Sequence, residues 1–295
     1  MLKMPGLDNP EMWDSIRETL SGEGVLIQVL MTNLQEQIEK SSDSNQLFRE
    51  NNGLTHLMGS FLKKELKNLG VVLVVPILRE IENLNFTLEI DPTKVNFHES
   101  VKSVQALQRI LGEYVFDRLN SFEDEFTPNV KFIFQFIKTE VEKKYKGCGF
   151  ITVGGFLFLR FITPILVMPK RFLSNVTEPS QASRRSLMLV AKVMQAIANQ
   201  SIEPFNELCM TAFNDYVVSQ YVSVNVFLDH ISSIEEMPTT ETTVSESHVY
   251  NTVEMVLNGI VNLMPLYKME FFKLLEQQRG MAYQFIHVVE NVQRK

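Results

Sequence analysis

One apolar stretch, residues 154–172, constrains the fold of this chain more than any other part of its sequence. It reads Gly-Gly-Phe-Leu-Phe-Leu-Arg-Phe-Ile-Thr-Pro-Ile-Leu-Val-Met-Pro-Lys-Arg-Phe, a helix-like run that carries Arg160 and then two prolines, Pro164 and Pro169. Burying a guanidinium among apolar side chains is costly unless its donors are paired. Arg160 therefore either extends its charged end from a core helix to the surface, or holds a neighbouring loop through its five donors. The stretch alone favours the first interpretation.

Charge and cysteine content exclude several classes of protein. The 295-residue chain has a net charge of −7 and no long run of Lys and Arg, so we expect no binding to nucleic acid. Its two cysteines, Cys148 and Cys209, have neither the spacing of metal ligands nor that of a disulfide framework. This cysteine usage indicates a reducing, intracellular compartment.

The two most apolar runs are interrupted. Residues 70–78 contain Pro76, and residues 156–169 contain Arg160 and Pro164. Both runs are shorter than the roughly 20 residues that a membrane-spanning helix needs. We therefore expect a soluble protein without direct membrane insertion.

Apolar residues recur at intervals of three and four along nearly the whole chain, which is typical of amphipathic helices. The pattern predicts helices at 11–39, 54–62, 66–85, 94–121, 129–146, 184–200, 203–234, 250–263 and 265–291. No convincing strand pattern, glycine-rich phosphate loop or internal repeat is present. The predicted fold class is all-α.

The sequence contains no self-contained enzyme active site. Its five histidines form no His-Glu-x-x-His pair, and neither a Gly-x-Ser-x-Gly elbow nor a catalytic-cysteine motif occurs, so no metal site is expected. Four cationic or amide groups remain: Arg49, Arg160, Lys192 and Asn199. Such donors suit phosphate oxygens or a carboxylate surface, although each of them alone is most often an ordinary surface residue. Arg49 lies in a polar loop before a helix, and Lys192 and Asn199 share one polar helix face.

Three ordered sequence blocks resemble the catalytic domain of the Ras GTPase-activating proteins, the family that includes neurofibromin. The resemblance is clear over about residues 24–234 and looser elsewhere. The blocks are Leu47-Phe48-Arg49 with the helix ending Phe61-Leu62-Lys63, the run from Gly155 to Pro164 with Pro169, and Arg185-Ser186-Leu187 with the run from Ala191 to Asn199, followed by Pro204-Phe205-Asn206. Any one block is a weak signal, but three in order at domain-scale spacing are a strong one.

The resemblance implies a role for each candidate residue. The chain would not be an enzyme itself but a GTPase activator that docks on a GTP-bound, Ras-family small GTPase. Arg49 would be the catalytic arginine finger inserted into the partner's nucleotide site, and Arg160 would stabilise the finger loop through backbone carbonyls. Leu159, Lys192 and Asn199 would contact the GTPase. No cofactor is expected on this chain, since Mg²⁺ and GTP would be carried by the partner.

The same resemblance implies one RasGAP-like helical domain over residues 1–295. Residues of about 45–230 would form a central catalytic part, and residues of about 10–40 and 235–291 an extra helical part. The chain is expected to be an excised domain of a larger, cytoplasmic signal-transduction protein. Recruitment to the inner face of the plasma membrane would then be peripheral, through other domains.

Two alternatives to an activator stay open. A scaffold with the same fold would bind a GTP-loaded small GTPase without accelerating hydrolysis. Glu50, an acid directly after the finger, and a segment between Asn199 and Pro204 that is shorter than in typical members both favour it. A purely structural helical domain would show no nucleotide-dependent binding at all. Hydrolysis and binding assays distinguish the three.

Overall fold

The computed structural model describes residues 10–22, 24–86, 88–173, 176–201 and 203–234, and within these ranges it contains helices and loops but no strand. The predicted all-α class is confirmed. The α-helices are α1 (Pro10–Gly22), α2 (Leu26–Lys40), α3 (Gly53–Glu65), α4 (Lys67–Asn83), α5 (Phe97–Tyr114), α6 (Leu119–Phe122), α7 (Pro128–Lys144), α8 (Gly149–Leu157), α9 (Thr163–Val167), α10 (Pro169–Phe172), α11 (Gln181–Asn199), α12 (Asn214–Ser219) and α13 (Tyr221–Ile231).

The described residues fall into two compact units. The first comprises residues 10–29 and 51–60, and the second comprises residues 30–50 and 61–234. All of the predicted site residues belong to the second unit. The helices predicted at 250–263 and 265–291, and the extra helical part predicted at 235–291, lie outside the described residues. The division into a central and an extra part therefore stays a prediction.

One helical prediction is wrong. The interval 203–234 was expected to be helical from its start, but residues 203–210 form a loop, and helical structure begins with a 3₁₀ turn at Thr211–Phe213. Pro204 cannot donate a backbone hydrogen bond. The side chain of Asn214 stabilises the loop conformation instead, because it donates to the Phe205 carbonyl and accepts from the Phe205 N–H.

The run around Arg160 is helical from Gly149 to Val167, with a π-helical segment at Phe158–Ile162 between α8 and α9. Pro164 explains the widened turn. A proline has no N–H to give to the carbonyl four residues earlier, and its ring would clash with that carbonyl. The Thr163 N–H instead bonds to the Phe158 carbonyl, five residues back.

This 19-residue helix is longer than the interrupted sequence suggested. By length and composition alone it could cross a membrane, but half of its most apolar window is buried inside the protein, and the core helix of a soluble protein passes the same test. In the second unit the helix packs against α7, α11 and α13. Its burial there follows from its composition, because apolar surface is most stable when other helices cover it.

Two adjacent glycines of α8 have opposite surroundings. A Cβ atom on Gly154 would lie 3.2 Å from Leu228 Cδ1 and 3.6 Å from the Ala198 carbonyl oxygen, whereas a Cβ on Gly155 would meet nothing within 4 Å. The close approach of α8 to α11 and α13 therefore requires a small residue at position 154 only.

We expect Gly154→Val to destabilise the protein by about 1–3 kcal/mol through overpacking. Gly155→Ala should be neutral or stabilise it by up to about 1 kcal/mol, since alanine favours helix more than glycine does. Urea unfolding of the two variants measures both effects. Equal destabilisation by both substitutions would contradict the packing described for Gly154.

Candidate functional site

The loop that carries Arg49, residues 41–50, has a defined conformation. Asp43 accepts a hydrogen bond from the Asn45 N–H at 2.9 Å and so caps the 3₁₀ turn Ser44–Gln46. The Gln46 carbonyl in turn accepts from the Arg49 N–H at 3.2 Å. The backbone therefore leads from the end of α2 to Arg49 through a series of local hydrogen bonds, which restricts the position of the arginine.

Phe48, directly before Arg49, has a φ of +59°. A non-glycine residue in this left-handed region is uncommon and costs conformational energy. The cost is offset by packing, because the Phe48 side chain is buried and its ring lies 5.1 Å from that of Phe156, centroid to centroid. Phe48 thus anchors the loop in α8 while Arg49 is turned to the surface, where it is exposed.

Arg160 connects the apolar helix to the 41–50 loop. Its Nη2 donates to the carbonyl oxygen of Phe48 at 2.7 Å and to that of Glu50 at 2.9 Å, so the carbonyls of the two residues on either side of Arg49 share one guanidinium. Burial lowers the pKa of Arg160 from its usual value, but an arginine remains protonated in proteins. Of the two interpretations of Arg160 that the sequence left open, the hydrogen bonds support the second: Arg160 holds the neighbouring loop.

A surface groove of about 850 Å³ gathers the remaining predicted site residues. Arg49, Leu159, Lys192 and Asn199 all line it. Lys192 and Asn199 project from α11, whose opposite side is buried, and Leu159 comes from the π-helical segment. Among the described residues, none forms a hydrogen bond or an ion pair with the Arg49 side chain. The groove thus brings an available guanidinium together with an ammonium, an amide and an apolar side chain.

Lys192 has an acidic partner that the sequence did not indicate. Its Nζ lies 2.9 and 2.7 Å from the two carboxylate oxygens of Glu207, in the loop at 203–210, and 5.9 Å from the centroid of the Phe205 ring. The Lys192 side chain is 42% exposed and that of Glu207 64% exposed. Because both are accessible to solvent, the pair is weak and open to exchange with another carboxylate.

Asn199 is held within its own helix. Its Oδ1 accepts a hydrogen bond from Gln195 Nε2 at 3.3 Å, and α11 ends at Asn199, since the next residue, Gln200, has a left-handed φ of +49°. Gln195 and Asn199 also line a smaller cavity of about 260 Å³ between α8 and the 41–50 loop. The helix end therefore borders both the groove and the underside of the loop.

The described part of the chain contains no cluster of three or more histidine, cysteine, aspartate or glutamate side chains that could hold a metal ion. The donors of the groove are instead cations and amides, which suit anionic oxygens. The arrangement can place positive charge against a negatively charged group presented by another molecule.

Sequence reasoning missed three contributors to this site. Phe48 was part of a quoted block but received no role, although an aromatic residue beside a loop arginine is itself a signal for an anchor. Glu207 could not be paired with Lys192 because helix periodicity does not apply to a loop. Lys144, which contacts the start of the 41–50 loop, carried no signal, since it is one of several lysines at a helix end.

Fold and site together define an all-helical protein whose surface groove presents cationic and amide donors. Residues 98–199 match the RasGAP family, described as GTPase-activator protein for Ras-like GTPase. This segment is thus similar to the RasGAP family, and the predicted resemblance is confirmed. The matched segment includes Leu159, Arg160, Lys192 and Asn199 and begins after Arg49.

Individual proteins match over a wider part of the chain. The mouse protein RasGAP-activating-like protein 1 is 26% identical over 68% of the chain and 28% of its own length. Bovine Ras GTPase-activating protein 1 is 28% identical over 72% of the chain and 21% of its own length. The probable Ras GTPase-activating-like protein ngap of Dictyostelium discoideum is 26% identical over 72% of the chain and 24% of its own length. The chain spans about a quarter of the length of these relatives.

Proposed function

We propose that the chain is a GTPase activator for a Ras-type small GTPase, and that it stimulates hydrolysis by inserting Arg49 into the nucleotide site of the GTP-bound partner. The observation that supports this most directly is that Arg160 donates hydrogen bonds to the carbonyls of Phe48 and Glu50, the residues on either side of Arg49. The arginine side chain is left exposed on a fixed backbone. The names of the relatives agree with a Ras-type partner.

The proposed chemistry needs only charge and position. Negative charge shifts toward the leaving oxygens as the γ-phosphoryl group departs, and a guanidinium placed there in advance stabilises it. Arg49 supplies that charge in trans, so the chain is not itself the enzyme. GTP and Mg²⁺ are held by the partner. The contribution of the 41–50 loop is preorganisation: its hydrogen bonds remove backbone freedom before the complex forms.

In the proposed complex the groove contacts the surface of the GTPase beside the nucleotide. Lys192 pairs with an acidic side chain of the partner, the Asn199 amide donates a hydrogen bond to it, and Leu159 packs against an apolar part of its surface. The nearness of these three residues to Arg49 in one groove supports this assignment. The three contacts give affinity and orientation, whereas Arg49 acts on the reaction itself.

Single-turnover GTP hydrolysis by a purified Ras protein, with and without the full chain at saturating concentration, tests the proposal. A large acceleration that depends on the concentration of the chain is the expected result. Binding to the GTP-loaded form without any acceleration would overturn the activator and establish the scaffold. An absence of nucleotide-dependent binding would overturn both.

The scaffold remains the second candidate because of Glu50. This residue is exposed and follows Arg49 directly, and its negative charge opposes the approach of the loop to a phosphate group. Glu50→Gln separates the two functions. An activator should become faster, or stay unchanged, when the acid is neutralised, whereas a scaffold should remain inactive.

The Lys192–Glu207 pair predicts opposite effects of two substitutions on the Kd for GTP-loaded Ras. Lys192→Ala should raise the Kd by about tenfold, the loss of one interfacial contact of about 1.4 kcal/mol. Glu207→Gln should lower it by about two- to fivefold, because the partner's carboxylate no longer competes for the ammonium. That gain should shrink at 0.5 M salt, as screening weakens the charge interaction.

Binding titrations at low and high salt provide this test, and Glu203→Gln is the matched control, since Glu203 is an exposed acid of the same loop whereas the ion pair of Lys192 is with Glu207. The control should leave the Kd within twofold of wild type. If Glu207→Gln weakens binding as strongly as Lys192→Ala does, then Glu207 orients the lysine rather than competing for it.

A further inference from the structure

We propose that Lys144 and Tyr145, at the C-terminal end of α7, are positioning residues for Arg49 that act by fixing the entry to the 41–50 loop. This inference rests on the proposed function, because it assigns the two residues a part in the same reaction. Neither residue lines the groove, and nothing in the three sequence blocks points to them. Their contacts with the loop carry the inference.

Lys144 closes the C-terminal end of α2. Its Nζ donates to the carbonyl oxygens of Ile38 and Glu39, both at 2.8 Å, and to that of Ser41 at 2.5 Å. An ammonium has three donors, and all three are used here. The last carbonyls of a helix have no partner within the helix, and a cation at this end also complements the helix dipole. Lys144 therefore fixes the point where α2 ends and the loop begins.

Tyr145 bonds the same point. Its hydroxyl donates to the Ser41 carbonyl at 2.7 Å, so this one oxygen accepts from both residues. Ser41 then passes the restraint along the chain, since its hydroxyl donates to the Asp43 carbonyl at 3.0 Å. Asp43 caps the turn whose last carbonyl accepts from the Arg49 N–H. A continuous series of contacts thus joins Lys144 and Tyr145 to the backbone of Arg49.

The connection from α7 to α8 is itself rigid. The Glu142 carboxylate accepts hydrogen bonds from the backbone N–H groups of Gly147 and Gly149 at 2.6 and 3.1 Å, and these bonds lower the pKa of Glu142. The helix that begins at Gly149 leads to Arg160. One corner of the fold therefore presents two restraints, with Lys144 and Tyr145 at the entry of the loop and Arg160 on both sides of Arg49.

The entry restraint by Lys144 and Tyr145 limits a motion of the loop that the bonds of Arg160 alone leave possible. A loop bonded only at residues 48 and 50 can still pivot about that attachment, and a misplacement of about 1 Å at a reacting group can cost up to about 10²-fold in rate. Because Arg160 remains in place, loss of the entry restraint should cost less, about tenfold. Lys144 is exposed, so its removal should have little effect on overall stability.

The test compares Lys144→Ala, Tyr145→Phe and the double variant with wild type, at the level of the full chain. Single-turnover hydrolysis by GTP-loaded Ras is measured over a range of chain concentrations. The double variant should lower the maximal rate about tenfold while changing the half-saturating concentration less than threefold. Hydrogen exchange of the backbone amides in residues 41–50 should become faster.

Two further variants distinguish positioning from a general loss of charge. Lys144→Arg keeps the cation and its donors and should retain a maximal rate within about threefold of wild type. Lys143→Ala removes the same charge one residue earlier, where the lysine pairs with Glu140, and should behave as wild type. An equal loss of rate in Lys143→Ala would overturn the positioning role of Lys144.

Failure of this inference and failure of the proposed function give different results. If wild type accelerates hydrolysis and the double variant retains the full maximal rate, Lys144 and Tyr145 do not position Arg49, and the activator stands. If wild type gives no acceleration, the proposed function is overturned, and the positioning role with it.

Discussion

Arg49→Ala is expected to remove nearly all of the acceleration of GTP hydrolysis that this chain gives to a GTP-loaded Ras protein. The expected loss is about 10³- to 10⁵-fold, a range taken over from the arginine fingers of Ras GTPase activators, for which it is established. It corresponds to about 4–7 kcal/mol of transition-state stabilisation. Single-turnover hydrolysis at saturating chain concentration measures it.

The affinity for GTP-loaded Ras should change far less than the rate. Arg49 stabilises charge that develops only in the transition state, and removal of such a group lowers the rate without a matching loss of ground-state binding. Lys192, Asn199 and Leu159 remain available for docking in the variant. A Kd within about threefold of wild type, beside a rate close to that of Ras alone, is the expected combination.

Arg49→Lys is the matched control for charge. Lysine keeps the positive charge but lacks the planar fork of donors that engages two phosphate oxygens at once, so it should recover only a small part of the rate. An Arg49→Ala variant that accelerates hydrolysis as well as wild type does would contradict the finger. Acceleration would then have to come from groups of the GTPase that the groove merely orients.

Helix periodicity alone predicted which residues share the polar face of α11. The positions of Lys192, Gln195 and Asn199 fall on one polar face by simple geometry, and the structure places all three along the groove. The fold class followed from the same periodicity over most of the chain. Such local, repeating signals survive in the sequence because they depend only on neighbours within a few turns.

Contacts between distant parts of the chain produce no periodic pattern in the sequence. The bonds of Arg160 to the 41–50 loop join residues more than a hundred positions apart, and only the family resemblance indicated which loop the arginine would hold. The π-helical turn at Phe158–Ile162 depends on Pro164 and on how the surrounding helices pack. The positive φ of Phe48 depends on the buried site that receives its ring. These features are decided by tertiary packing, which overrides local preference.

At residues 203–210 local periodicity predicted a helix that the structure does not contain. The sequence of this segment contains apolar residues at spacings that fit a helix, yet Pro204 and the side chain of Asn214 stabilise a loop. This loop places Glu207 against Lys192. In a helix, the direction of the Glu207 side chain would instead be set by the helical periodicity.

Arg160→Ala is expected to lower the maximal single-turnover rate by about 10- to 10²-fold, the cost of a displaced reacting group. The substitution removes both hydrogen bonds to the carbonyls of Phe48 and Glu50, the residues on either side of Arg49. The Phe48 backbone, at a positive φ, is then held by its buried ring and by the Arg49 N–H bond to Gln46, without the bonds to the guanidinium. Arg160→Lys should recover part of the rate, since an ammonium can reach one carbonyl but cannot reproduce the fork.

Thermal unfolding of the Arg160 variants serves as the control for a general loss of structure. The half-buried guanidinium leaves a gap when it is removed, so a small decrease in Tm is expected and is not by itself informative. The informative quantity is the ratio between the losses in rate and in affinity. A positioning role lowers the maximal rate, whereas partial unfolding also weakens binding to GTP-loaded Ras.

A double-mutant cycle decides whether Arg160 acts only through Arg49. Residues that act as one unit give strongly non-additive losses. In the Arg49→Ala background the loop no longer carries the reacting guanidinium, so Arg160→Ala should add almost nothing to the loss of rate. If the two losses instead multiply, Arg160 contributes to the reaction by a route other than the 41–50 loop, and its bonds to Phe48 and Glu50 then stabilise the fold without positioning the finger.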